Sequence, residues 1–401
     1  MSAALGACGM LLMAQDHPPQ HQATASAMEQ LHVQAVYDRL APSVVDVTAT
    51  LRYDAETAEG TGIVISAAGG LILTNNHVVR GATGVSITLT TSGRQLPARV
   101  VGTDSRADVA ILQVPGARSL HPGLAQAGMA GPGVLAAGVP VVAIGNQAGV
   151  GGTPTIAPGT ITATGQTIRA NDSSAAFTET LSDMLATSAH IAPGDSGGPL
   201  ADAEGKVVGL ITAAGAGSPG IGYAIPIGNA IAAARQITAA RAAPGVTTRP
   251  RGFLGVVLAA GAVHGPGAGT ASAASAAASA ASGPGTASAP AGAHATSATG
   301  SSPAAPGCAP TIGAARLPRG DAPTRAGAKL YGVLCGTGAA AAGLRAGDVI
   351  TAAAGRPVTS PQALTTIIGD CRPGARIPVS WVSPAGRERT SVVTLDAAPA
   401  A

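Results

Sequence analysis

Large aromatic side chains are almost missing from this chain of 401 residues, which has two Phe, one Trp and four Tyr. A densely packed interior must therefore be assembled from Val, Ile, Leu and Ala. Charge is also scarce: 11% of residues are charged and the net charge is +3. That balance lacks the basic surface nucleic acid demands, so no nucleic-acid partner is expected. Lysine occurs only as Lys206 and Lys329. Cysteine is absent between residues 9 and 307, so that span must fold without disulfides. Of the four cysteines, Cys8 stands alone, while Cys308, Cys335 and Cys371 share the C-terminal third. One of those three is left over whichever pair forms; a bridge such as Cys335–Cys371 and free buried thiols are both open. The apolar stretch 1–14 is too short to span a bilayer and lacks the basic flank of a signal peptide. Two readings stay open for it, a disordered leader or the remainder of a longer membrane anchor.

Glycine (56) and proline (30) are plentiful, and they punctuate short apolar runs. Residues 1–42 read as the apolar segment followed by a polar spacer. From Ser43 onward, Ser43–Val47, Gly62–Ile65, Leu71–Leu73, Val85–Leu89, Ala98–Gly102 and Val109–Val114 form one set of runs. Val139–Ile144, Thr155–Thr164, Ser182–Thr187, Val207–Thr212 and Ile221–Ile225 form a second. Spacing near ten residues with turn signals between predicts an all-β architecture, two packed barrels of about six strands each. Ile227–Ile237 turns helical and closes a domain over 43–237. A linker follows at 238–251. The remainder, 252–397, reads as a small mixed α/β module. It is interrupted at about 259–327 by an Ala/Gly/Ser-rich stretch that cannot bury enough apolar surface to order itself.

Gly194-Asp195-Ser196-Gly197-Gly198-Pro199 carries the strongest chemical signal. A serine nucleophile needs its Oγ on a tight turn, with backbone N–H groups aimed at the developing oxyanion; flanking glycines permit both. The amides of Gly194 and Ser196 are assigned that donor role. The hydroxyl needs a base. His77 follows the apolar run Leu71–Leu73, whereas His121 precedes a proline in a loop and His190 is too near Ser196 in sequence. A buried carboxylate must orient the imidazole. Asp108 directly precedes the apolar Val109–Leu112, where an unpartnered carboxylate would be costly, while Asp104 reads as part of an exposed turn. The order His77, Asp108, Ser196 is that of the chymotrypsin type.

Together these residues resemble the trypsin-like peptidases, and among them the HtrA (Deg) family of bacterial envelope proteases. The resemblance rests on Gly60-Thr61-Gly62-Ile63-Val64-Ile65, Leu73-Thr74-Asn75-Asn76-His77-Val78-Val79, Ala107–Leu112, Ala143-Ile144-Gly145-Asn146 and Gly220–Pro226, besides the serine turn. It implies a chymotrypsin-like double β-barrel followed by a PDZ-like domain, and chemistry needing no metal or organic cofactor. The PDZ resemblance lies in Arg251-Gly252-Phe253-Leu254-Gly255-Val256 and Ala342–Ile350. It implies that Phe253, Leu254, Gly255 and Val256 hold a peptide C-terminus beside an added strand. One residue departs from the family pattern: Asp195 stands where HtrA proteases usually have Asn. Digestive trypsins carry Asp there and pair it with a cleaved N-terminus, so here Asp195 needs another partner, an arginine or backbone amides. By position relative to Ser196, His190 falls near the base of the primary pocket, with Thr212, Ala213 and Ala214 on its wall; a solvated loop position for His190 is equally open.

The expected protein is therefore a serine endopeptidase acting on unfolded or damaged proteins, extracytoplasmic, secreted or anchored in the envelope. C-terminal peptides are expected at the PDZ-like module, and a homotrimer and a membrane anchor are further expectations from the resemblance. The competing class is a catalytically idle peptide-binding or chaperone-like protein that keeps the protease fold.

Overall fold

The structure, a computed structural model, describes residues 32–400 apart from 54, 121–122, 132–134, 150, 172–177, 215–219, 242, 249, 259–307 and 313–325. Strands β1 (Val44–Leu51), β2 (Glu56–Ser66), β3 (Leu71–Thr74), β4 (Gly84–Leu89), β5 (Gln95–Asp104) and β6 (Val109–Gln113) pair in the order β5-β4-β1-β2-β3-β6. A further β5–β6 pairing closes them into a barrel. A second closed barrel runs β10-β11-β12-β9-β8-β7. Its strands are β7 (Pro140–Gly145), β8 (Thr155–Asn171), β9 (Thr178–Thr187), β10 (Pro199–Ala201), β11 (Val207–Ala214) and β12 (Gly222–Pro226). The double barrel expected from the sequence is thus present, with β10 as the one strand the run pattern did not mark.

With few aromatics, packing falls to aliphatic side chains: the largest fully buried residues of the chain are all Leu, Ile or Met. Helix α3 (Ile227–Thr238) buries Ile227, Ala230, Ala233, Ala234 and Ile237. These are spaced three and four apart, so one apolar stripe lies on one face. The small alanines let it sit close against β5 and β6 of the first barrel and β11 and β12 of the second. The spacer reading of 1–42 misses one element. Residues 32–40 form helix α1, whose Val36 and Leu40 join the same core cluster. Arg39 of α1 also donates to the Glu204 carbonyl of the β10–β11 turn. Residues 1–31, with the apolar start, lie outside the described residues.

In the C-terminal module, β15 (Val256–Leu258), β16 (Ala328–Val333), β17 (Val349–Ala353), β19 (Arg376–Val382) and β20 (Glu388–Thr394) form the main sheet in that order. The short β18 (Arg356–Pro357) pairs with β17, and α5 (Pro361–Gly369) packs beside β14 (Gly252–Phe253) and β17. In β19, Ile377, Val379 and Trp381 point inward in strict alternation. β15 pairs antiparallel with β16 across the long interruption. Within the stretch read as an interruption, residues 308–312 are described. Ala309 bridges Leu334, and the disulfide is Cys308–Cys335, with Cys371 free. The Cys335–Cys371 bridge considered from the sequence is therefore corrected: Ala309 N–H donates to the Val333 carbonyl and Cys335 N–H to the Ala309 carbonyl, which sets Cys308 beside Cys335.

The module meets the first barrel at the β1–β2 turn and at the segment after His77. Tyr53 from the β1–β2 turn meets Phe253 with ring centroids 5.2 Å apart, and its carbonyl accepts from Ile312 N–H. At the C-terminal end, β21 (Asp396–Ala397) pairs with β14 (Gly252–Phe253). Three residues on, Ala400 exchanges two backbone hydrogen bonds with Gly81 and Ala82, which follow the segment bearing His77.

Candidate active site

Helix α2 (Asn76–Val79) is a single turn at the end of β3, and it carries His77. Asp108 sits where β5 hands over to β6, in left-handed backbone (φ 50°). Asp is among the few residues that tolerate this conformation, at a cost of roughly 1 kcal/mol. The cost is offset locally, because Asn75 Nδ2 donates to the Asp108 carbonyl at 2.9 Å. The carboxylate is 1% exposed and both of its oxygens are used. Oδ1 accepts the His77 backbone N–H at 3.0 Å; Oδ2 accepts from His77 Nδ1 at 2.8 Å and from Thr212 Oγ1. Burial pushes the Asp108 carboxyl up, but the His77 imidazole and the bonds from His77 and Thr212 outweigh it and hold it below the usual range. A carboxylate only accepts, so Nδ1 must be the protonated nitrogen and Nε2 is left to face a nucleophile.

Ser196 comes from the second barrel. Its Oγ donates to the Thr212 carbonyl at 3.0 Å. Thr212 therefore holds Asp108 with its hydroxyl and Ser196 with its backbone, linking two residues 88 positions apart in sequence. Gly60 explains how the barrels approach so closely. A Cβ there would come within 2.8 Å of Val78 and 3.0 Å of the Ser196 carbonyl. The neighbour of His77 and the backbone of Ser196 thus share one glycine's surface. A chain of hydrogen bonds, His77 to Asp108, Asp108 to Thr212 and Thr212 to Ser196, links all three candidate residues. Asp104, the rival carboxylate, instead caps the β5–β6 turn by accepting from Arg106 and Ala107 amides; it is buried, not exposed. His121 lies outside the described residues.

In the serine turn, Gly194 has φ 97° and Gly197 φ 88°, conformations that favour glycine. Asp195 finds backbone rather than arginine: Oδ2 accepts the Ala192 N–H at 2.8 Å, while buried Oδ1 has no partner among the described residues. Burial raises the Asp195 carboxyl above its ordinary range, opposed by the Ala192 amide, the nearby His190 and the Thr155 hydroxyl. His190 is exposed, and Thr212 is 3% exposed. Ala213 and Ala214 continue β11, paired with Tyr223 and Gly222. Sequence reasoning placed Thr212 on a pocket wall and missed its bond to Asp108; nothing in local spacing signals a contact across 104 residues.

In the C-terminal module a cleft of about 50 Å³ is lined by Arg251, residues 252–256, Leu364, Thr365 and Ile368. The Leu254 carbonyl accepts from Ala339 and the Gly255 carbonyl from Leu334. In a trans peptide the N–H points opposite to the C=O, so the Gly255 and Val256 amides face away from those partners. Gly255 itself has φ 79° and lies so close to Thr337 that a Cβ would overlap it at 2.3 Å. Among the described residues no group of three His, Cys, Asp or Glu side chains is placed to hold a metal, and no helix is long and apolar enough to cross a membrane.

A trypsin-like peptidase domain model matches residues 60–210. The chain is 29% identical over 340 residues to the periplasmic pH-dependent serine endoprotease DegQ of Escherichia coli, covering 84% of this chain and 59% of that protein. It is 29% identical over 381 residues to the serine protease PepD of Mycobacterium tuberculosis, covering 90% and 66%. The chain thus spans about three fifths to two thirds of the length of these relatives. A solved HtrA-type protease, AlgW with a tripeptide, is 26% identical with a TM-score of 0.44, covering 92% of this chain and 98% of that one. A peptidase-type double barrel, a PDZ-like module behind it and relatives that span most of the sequence lead to one conclusion: the chain carries a trypsin-like peptidase domain and is similar over most of its length to HtrA (Deg) serine proteases.

Proposed function

We propose that the protein is a serine endopeptidase of unfolded or damaged proteins, with His77, Asp108 and Ser196 as its triad. The observation that carries the reading is the Asp108 carboxylate, bonded to His77 Nδ1 at 2.8 Å and to Thr212, whose carbonyl in turn holds Ser196 Oγ. Rotation of Ser196 about χ1 frees its hydroxyl for His77 Nε2. His77 then takes the proton as Oγ attacks the substrate carbonyl, and Asp108 stabilises the imidazolium. The amides of Gly194 and Ser196 receive the oxyanion. His77 returns the proton to the departing amine, and water repeats the cycle on the acyl-enzyme to release the carboxylate and regenerate the hydroxyl. No step calls for a metal or organic cofactor.

The primary pocket is assigned to Thr212, Ala213 and Ala214 with His190 at its base; with no carboxylate there, cleavage after Lys or Arg is disfavoured. The outward-facing amides at Gly255 and Val256 support capture of a peptide C-terminus by the PDZ-like module. The periplasmic DegQ relative and the Cys308–Cys335 bridge support an extracytoplasmic, oxidising location. A fluorophosphonate probe together with hydrolysis of an unfolded protein tests the reading. Labelling and turnover that both vanish in Ser196→Ala are expected. A wild-type protein that neither labels nor cleaves, yet binds C-terminal peptides, would instead be an idle peptide-binding relative of these proteases.

A further inference from the structure

Thr61 lies on β2 between Gly60 and Gly62 and is fully buried. Each of its polar atoms is engaged. The backbone N–H donates to the Ser196 carbonyl at 2.8 Å, and Oγ1 donates to the Gly194 carbonyl at 2.8 Å. The same Oγ1 accepts the Asn146 N–H at 2.9 Å, and the Thr61 carbonyl accepts from Thr74 Oγ1 at 2.7 Å. The turn is also packed against it: a Cβ on Gly197 would fall 2.0 Å from the Thr61 carbonyl oxygen.

We infer that Thr61 is a positioning residue for the oxyanion turn, its hydroxyl fixing the Gly194 amide geometry on which turnover depends. The inference rests on the peptidase reading above and deepens it. Peptide planes are rigid, so gripping the Gly194 and Ser196 carbonyls fixes the planes on either side of Asp195-Ser196. The gripped planes carry the Asp195 and Gly197 N–H groups. The Ser196 N–H lies on the plane between them and the Gly194 N–H on the plane before, so one residue of the other barrel sets both assigned donors through adjoining Cα atoms. Because Asn146 N–H occupies Oγ1 as an acceptor, the hydroxyl proton is directed at Gly194. Asn146 belongs to the loop after β7, whose Gly151 amide bonds the Asn146 side chain. Thr61 therefore also couples that loop to the turn. Asp195 supplies little of this order: its Ala192 bond is local, and its second oxygen has no partner among the described residues. The hydroxyl of Thr61 takes the place of an ion pair.

The test compares Thr61→Val, which keeps shape and the backbone bond but removes the donor, with Thr61→Ser and Thr61→Cys. Active sites are titrated by burst kinetics, so that turnover is read per competent site, and folding is checked by melting. Expected is a fall in kcat per site of about 10- to 100-fold for Val, with KM within about threefold, since an indirect support is worth less than an oxyanion donor itself. The Ser variant stays within about threefold of wild type and the Cys variant falls between, in the order of donor strength. A peptide boronate should lose affinity for the Val variant by about the same factor as kcat/KM. A Val variant with unchanged kcat per site overturns the inference and leaves the peptidase reading standing. So does a fall confined to the fraction of competent sites, which marks a merely structural role. Should Val fail to fold, a Cys variant equal to wild type overturns it equally well. A wild-type protein without turnover or labelling takes both readings down together.

Discussion

Asp108 and Asp195 are both buried carboxylates, and their oxygens fare differently. Asp108 has each oxygen satisfied, from His77 backbone, His77 ring and Thr212 hydroxyl. Asp195 has one oxygen on a local amide and one with no partner among the described residues. The first-barrel half of the centre is over-determined, while the second-barrel half depends on what grips it from outside. The difference teaches where loss of function should come from. Under the proposed triad, removing a side chain of His77, Asp108 or Ser196 should abolish chemistry, whereas loosening what grips the serine turn should change only how well that turn is held.

The largest effect that could break this contrast is on turnover. His77→Ala or Ser196→Ala should lower kcat/KM by about four to six orders of magnitude, and Asp108→Asn by about four, measured on a short peptide. Away from the triad, replacing Cys308 and Cys335 with Ser should cost the C-terminal module roughly 3 kcal/mol, the cost expected for opening a loop with a sequence separation of 27. Chemical melting with and without reductant reads that out, and peptide turnover by the barrels should survive it. Thr212→Val removes a hydrogen bond to a charged, buried acceptor. It should cost kcat about 10- to 100-fold, with Thr212→Ser near wild type; equal loss in both would place the defect in packing rather than in the hydroxyl.

The smallest effects concern the strained carboxylates. Asp46 on β1 is 4% exposed, with one oxygen lacking a partner among the described residues, and the other on the Gly152 amide. Burial raises its carboxyl to about 6, with Glu59 adding to the rise and the Gly152 amide opposing it. Unfolded, it titrates near 4. Between those values the folded protein holds the extra proton, so the contribution of Asp46 to stability falls as pH rises from about 4 to about 6. Asp46→Asn should flatten that slope and raise stability above pH 6 by about 1–2 kcal/mol, with little change below pH 4. Asp195→Asn should act in the same direction, because its raised carboxyl also disfavours the charged form in the folded state. Melting curves across pH 4–8 check both, and lower stability of either variant at pH 8 would refute the assignment of strain.

Much of this was legible in the sequence because strands with alternating or continuous apolar runs are local signals. Ile227–Ile237 and Pro361–Ile368 likewise announced their helices within a residue or so of where they lie. The motif residues His77, Asp108 and Ser196 each carried a local context that set them apart from rivals. What stayed hidden were contacts made across the chain. The bond from Thr212 to Asp108, the grip of Thr61 on Gly194 and the Cys308–Cys335 pairing join residues whose neighbours say nothing of one another. Helix α1 is a different case: Val33, Val36, Tyr37 and Leu40 stand at helical spacing, a local signal that the spacer reading of 1–42 passed over.

The exchange of backbone bonds between Ala400 and Gly81–Ala82 has a practical consequence. A purification handle or fluorescent reporter fused directly after residue 401 would start a residue from those bonds, only a few residues from the imidazole. Its bulk would tug on the strand that shapes the peptide cleft and on the segment after His77 at once.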